Sequence, residues 1–184
     1  MPGSSPEGKK ESAELIKQYV APFEFKRVLD IGPGRGTYAV DPMFVDIWDE
    51  HDVVLDCIEI WPEYINTFNL QKIYELVICQ DVRCLHTNLL PEYDLVILGD
   101  VIEHMSLDTG VSVFKNLLLS SRYVLISTPS VTPYHQQETE YSTNPHEEHH
   151  YNQLLPSEVI ENFGDPIAMW TGEMIGVFLY KGFQ

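Results

Sequence analysis

Basic residues are scarce in this chain. Lysine and arginine number 11 against 28 aspartates and glutamates, for a formal net charge of −17 at pH 7. A polyanion would be repelled over most of such a surface, and no Lys/Arg cluster offers it a binding stripe. Nucleic acid is therefore a disfavoured partner, short of a local patch, and so is an anionic membrane. Long apolar runs are missing too: no stretch approaches the ~20 residues needed to span a bilayer. Cysteine is sparse. Cys57, Cys79 and Cys84 form an odd set without C-x-x-C spacing, which points to reduced thiols rather than a disulfide framework or a zinc site. Cys57 and Cys79 fall in expected strands, where a buried inert thiol is the simplest reading. The opening residues, MPGSSPEGKKES, lack the apolar core of a signal peptide. Residues 1–10 read as a disordered tail, and the expected location is cytoplasmic.

What is present fits one domain over residues 11–184, of ordinary composition at 44% hydrophobic and 21% charged. Residues 11–20 place Leu15, Ile16, Tyr19 and Val20 at helical spacing. Lys26–Ile31 reads as a strand, followed by a helix that Pro42 divides. Val53–Ile60 is a second strand, and Pro62–Phe68 and Leu70–Glu75 look helical. Leu76–Gln80 and Tyr93–Leu98 are the third and fourth strands, ending at Asp81 and at Gly99-Asp100. Leu107–Leu119 carries Val111, Phe114, Leu117 and Leu118 on one helical face, and Tyr123–Ser127 is a fifth strand. Residues 129–155 show no periodicity, and Ser157–Phe163 is a short helix. Ile167–Thr171 and Ile175–Tyr180 flank Gly172-Glu173, the pattern of a hairpin. Strands alternating with helices predict an α/β fold whose parallel sheet is covered on both faces.

The first strand runs into Val28-Leu-Asp-Ile-Gly-Pro-Gly-Arg-Gly36, three glycines on alternate positions led by Asp30. Glycines here let the backbone turn sharply and approach a ligand closely. A dinucleotide site needs G-x-G-x-x-G, and the spacing Gly32-x-Gly34-x-Gly36 tells against it. The motif resembles motif I of the class I S-adenosylmethionine-dependent methyltransferases. That resemblance implies a Rossmann-like, seven-stranded, mostly parallel sheet with a C-terminal antiparallel hairpin and helices on both faces. It also implies S-adenosylmethionine as cofactor.

Later strand ends agree with it. Glu59 lies ~20 residues beyond the glycine loop, as needed to bind ribose hydroxyls, and Ile60 and Trp61 are apolar and flat enough to sandwich an adenine. In the resembled family Asp81 would accept the adenine amine, with the Val82 amide reaching a ring nitrogen. Gly99 and Asp100 would flank the methionine moiety. Asp30 would orient backbone amides or accept from the cofactor ammonium, and Ser127-Thr128-Pro129 would occupy the next strand end.

A hydroxyl acceptor must also lose a proton, which requires a base or a metal. Two clusters qualify: Asp100-x-x-Glu103-His104, and Asn144-Pro-His-Glu-Glu-His-His150 within 129–155. An irregular stretch of that length usually forms a lid or binding loop, and Tyr134, His135, Gln136, Gln137 and Tyr141 in it are candidate substrate contacts. The pattern resembles the metal site of the small-RNA terminal 2′-O-methyltransferases and the ubiquinone-pathway O-methyltransferases. By that resemblance Asp100, Glu103, His104 and His149 would hold Mg²⁺, Mn²⁺ or Zn²⁺. The chain departs from the pattern in having Asp at the first position, and several loop histidines compete for the last. The alternatives are His104 and His149 as a metal-free pair in the pocket, candidate catalytic acid and base, or a surface run of His and Glu without a role. His51, His86 and His146 read as ordinary exposed residues. The expected activity is methyl transfer to O or N of a small polar molecule. The competing readings are a metal-assisted 2′-O-type nucleic-acid methyltransferase and a non-catalytic cofactor-binding scaffold.

Overall fold

The computed structural model describes residues 5–85, 92–133 and 144–182. Tyr134, His135, Gln136, Gln137, Tyr141 and His86 lie outside them. Helix α1 (Pro6–Leu15) runs through a single π turn, Ile16–Val20, toward β1 (Arg27–Ile31). There follow α2 (Thr37–Val40), α3 (Pro42–His51), β2 (Val54–Glu59), α4 (Pro62–Thr67), β3 (Leu76–Cys79) and β4 (Tyr93–Gly99). The chain ends with α5 (Leu107–Leu119), β5 (Ser121–Pro129), α6 (Pro156–Phe163), β6 (Ala168–Thr171) and β7 (Ile175–Lys181).

The seven strands form one sheet in the order β3-β2-β1-β4-β5-β7-β6. Strands β1 to β5 pair in parallel, whereas β7 runs antiparallel to both β5 and β6. Strand alternation divides the core. In β4, Val96 and Leu98 join Leu29, Phe114 and Phe178 on the face that α5 and α6 cover. Leu95 and Ile97 join Val28, Phe44, Trp48 and Ile16 on the opposite face, under α1 and α3. Both faces being buried explains why these strands read as unbroken apolar runs. Strand order reverses between β1 and β4, so a crevice opens beyond their carboxyl ends, where open α/β sheets bind ligands.

Four expectations need correction. The tail read over residues 1–10 is helical from Pro6: Ser5 caps α1 by accepting from the Gly8 amide at 2.9 Å, and Gly8 is buried against Ile175. Ser-Pro-Glu is itself a helix-start signal, with proline at the first helical position. The helix expected over Leu70–Glu75 is one 3₁₀ turn, Leu70–Lys72, after Asn69 enters the left-handed region at φ 52°. Cys79 is exposed because β3 is the sheet edge; Cys57 is buried, and all three thiols are free. Part of the stretch read as patternless extends the sheet margin, the Ser130 and Thr132 amides donating to the Met174 and Glu173 carbonyls at 3.0 and 2.7 Å. No helix among the described residues is long and apolar enough to cross a membrane.

Candidate cofactor and acceptor site

The glycine loop turns through three left-handed residues, Gly32 at φ 64°, Gly34 at 53° and Gly36 at 80°. Side-chain-bearing residues adopt this region at a cost, so alternate glycines are a backbone requirement. The Gly32 amide donates to the Ile58 carbonyl at 2.9 Å, and that of Gly36 closes the turn on Pro33 at 2.8 Å. Gly32 and Gly34 thereby border a cavity of about 230 Å³ beyond the ends of β1, β2 and β4. Gly36 does not reach it, and packs against Ile73 and Tyr74.

Of the other expected cofactor residues, Glu59, Ile60, Asp81, Val82 and Asp100 line this cavity. Glu59 is buried, and its Oε1 accepts from the Trp61 amide at 2.8 Å. Burial pushes its carboxyl up to about 7, against the pull of the Trp61 and Gly34 amides. Asp81 is held by its own neighbour: Arg83 Nη2 lies 2.6 Å from Oδ2, and the Arg83 amide donates to Oδ1 at 2.9 Å. The guanidinium keeps this carboxyl below its ordinary range. Asp100 has φ 56°, and its Oδ1 accepts from the Ser127 hydroxyl at 2.9 Å.

Asp30, Gly99 and Trp61 do not line the cavity. Asp30 is buried and accepts from the Tyr74 hydroxyl at 2.6 Å, which anchors the turn after α4 under β1. A side chain at Gly99 would collide with the Tyr38 ring, so this glycine makes room for an aromatic. Trp61 contributes its amide to Glu59, while its ring meets His146 edge-on at 5.9 Å.

At the far side of the cavity the 3₁₀ turn Ile102–His104 presents His104, whose ring meets that of His149 edge to face at 4.7 Å. Potential ligand atoms of Glu103, His104 and His149 all lie within 4.8 Å of one another. Glu103 is 1% exposed, and its Oε2 and the Nδ1 of His104 are buried without a hydrogen-bond partner among the described residues. Burial, with the Asp100 charge, pushes the Glu103 carboxyl well above its usual range, while burial lowers the His104 imidazole. Asp100 is not in this cluster, so three of the four expected metal ligands converge.

Asn144, Glu147, Glu148 and His150, from the second cluster singled out in the sequence, also line the cavity, together with Tyr64, Arg83 and Met105, which the sequence did not single out. His146 is exposed as expected, yet also faces the cavity. His51 is half-buried, its ring edge-on to Phe25 at 5.8 Å.

A sheet with one reversed strand, β7, and a glycine-turn cavity at its switch point define the fold of the class I S-adenosylmethionine-dependent methyltransferases. Solved structures agree. An S-adenosylmethionine-dependent methyltransferase from Clostridium acetobutylicum superposes with a TM-score of 0.64 at 11% identity, over 94% of this chain and 90% of that one. A SAM-dependent methyltransferase from Archaeoglobus fulgidus gives 0.61 at 16%, over 94% of each. The magnesium protoporphyrin IX methyltransferase of Synechocystis, with bound SAM, gives 0.58 at 14%, over 97% of this chain and 85% of that one. No protein-family profile and no curated protein matches the sequence.

Proposed function

We propose that this protein is an S-adenosylmethionine-dependent methyltransferase acting on an oxygen or nitrogen of a small polar molecule, in a reducing, cytoplasmic setting. The observation that carries the reading is Glu59. It is a buried carboxylate at the end of β2 that faces the same cavity as the left-handed glycines of β1 and the imidazole of His104. In this reading Glu59 accepts from the ribose hydroxyls, the Gly32–Gly34 turn receives the methionyl end, and Val82 borders the adenine. Methyl transfer is an in-line displacement: a bond forms from the acceptor atom to the methyl carbon as the carbon–sulfur bond breaks. Holding the two at near-attack distance supplies much of the acceleration. His104, kept neutral by burial, is suited to take the proton that a hydroxyl acceptor loses. The charge of −17 favours a small acceptor over a nucleic acid.

A second reading adds a divalent metal, favoured by the convergence of Glu103, His104 and His149, with Glu103 Oε2 and His104 Nδ1 buried without a hydrogen-bond partner among the described residues. Two imidazoles and one carboxylate fit Zn²⁺ or Mn²⁺, and a bound metal would acidify an acceptor hydroxyl.

The test is incubation with methyl-labelled S-adenosylmethionine and a metabolite extract. A labelled product that disappears in His104→Ala supports the enzyme. Cofactor binding without product across broad extracts supports a non-catalytic scaffold instead.

A further inference from the structure

The segment from Asn144 to His150 forms the wall of the cavity that faces the glycine loop and Glu59. Its shape is locally determined: the Asn144 side chain accepts from the His146 amide at 2.9 Å, and the Glu147 amide from its side donates to the Asn144 carbonyl at 3.3 Å. Downstream it is pinned to the sheet, since the His150 amide donates to the Glu103 carbonyl at 2.8 Å and that of Leu154 to Pro129 at 2.9 Å. Between these points the Glu147 side chain crosses to α4, where the Tyr64 hydroxyl donates to its carboxylate in a short, buried hydrogen bond. Helix α4 is a firm post, because Ile65 packs with Leu70 and Tyr74 in a buried cluster.

Glu147 is 8% exposed, and its charge faces Glu59. Seating a second carboxylate there is unfavourable by itself, and the Tyr64 O–H offsets that repulsion. The Tyr64 contact thus helps to hold Glu147 in its seat against α4. A molecule lying between Glu59 and the segment would be flanked by both, and lifting of the segment would widen its way out.

We propose that residues 144–150 are a strap over the cofactor, and that the Tyr64–Glu147 hydrogen bond is the latch that sets how long the cofactor stays. This rests on the methyltransferase reading of the cavity. Tyr64 and Glu147 act as positioning residues.

The experiment is stopped-flow release of S-adenosylhomocysteine from the wild type, Tyr64→Phe, Glu147→Ala and Glu147→Gln, with melting temperature as the check on folding. Losing a hydrogen bond to a charged group should speed release about tenfold in Tyr64→Phe and Glu147→Ala. Association should also quicken, so that Kd changes less than the off-rate. Glu147→Gln keeps an acceptor oxygen and should release within about twofold of the wild type. Amide exchange over 144–150 should slow on ligand binding in the wild type and slow less in Tyr64→Phe. Wild-type release rates in both Tyr64→Phe and Glu147→Ala would overturn the latch while leaving the cofactor reading intact. A wild type that binds no S-adenosylhomocysteine overturns both. Should one variant fail to fold, the other decides.

Discussion

The Tyr74 hydroxyl donates to the Asp30 carboxylate at 2.6 Å, joining the turn after α4 to the end of β1 beneath the cavity. Asp30 is thus tied to the turn after α4, while Glu59 on the neighbouring strand is the acid that lines the cavity. Their common burial has a consequence for pH. Burial is the chief cause that pushes each up to about 7, and the Glu59 charge adds to the rise at Asp30. Both carboxyls therefore hold a proton more tightly folded than unfolded. The stability this confers is complete below the ordinary carboxyl range near ~4 and is lost as pH rises through about 7. Urea unfolding across that window should find the free protein less stable at the alkaline end, with a smaller difference in Asp30→Asn. An unchanged difference in that variant would remove Asp30 from the account.

Cofactor affinity should move the other way. In the proposed function ribose hydroxyls would donate to an ionised Glu59, so S-adenosylhomocysteine should bind more tightly as pH rises through about 7. Calorimetry in a buffer series checks this; an affinity independent of pH would contradict it.

Replacing Glu59 separates binding from folding. Hydrogen bonds to a charged group contribute roughly 1.5–3 kcal/mol each, and in the proposed function two ribose hydroxyls would meet this carboxylate. Glu59→Ala should therefore weaken S-adenosylhomocysteine by at least about a hundredfold. Its melting temperature should stay near that of the wild type, since a buried carboxyl is removed. A large fall in melting temperature would make Glu59 a structural residue instead.

Gly99→Ala tests the packing role found for that glycine. The new methyl meets the Tyr38 ring, itself packed against Phe44 at 4.9 Å, so relief requires a core aromatic to shift. Overpacking of this kind costs about 1–3 kcal/mol, to be read from urea midpoints. No loss would mean that Tyr38 yields easily.

The metal reading makes its own demand. Mn²⁺ or Zn²⁺ should raise the melting temperature of the wild type but not of His104→Ala or His149→Ala, and a chelator should lower turnover. Turnover indifferent to chelator would leave the two histidines as pocket residues.

The strands along the chain and the glycine turn were legible because they rest on local rules: apolar runs bounded by acids, and alternate glycines where the chain must turn left. Glu59 was legible by its distance from that turn. Asp30, Gly36 and Gly99 look the same in sequence as ligand contacts, because Tyr74, Ile73 and Tyr38, which claim them, come from elsewhere in the chain. Asp81 lines the cavity and is also paired with Arg83, two residues on, a pairing the sequence does not distinguish from a solvated acid. The pairing of Tyr64 with Glu147 was out of reach for a different reason. Eighty-three residues separate them, and Tyr64 stands in no motif, although Glu147 lies in the His- and Glu-rich cluster.

The central claim is that the cavity at the β1–β4 switch takes an adenosyl sulfonium cofactor rather than a dinucleotide. Calorimetric titration of the wild type with S-adenosylhomocysteine and, separately, with NAD tests it most directly. Saturable one-to-one binding of S-adenosylhomocysteine with no response to NAD is the predicted result. Binding of NAD with no response to S-adenosylhomocysteine would contradict it.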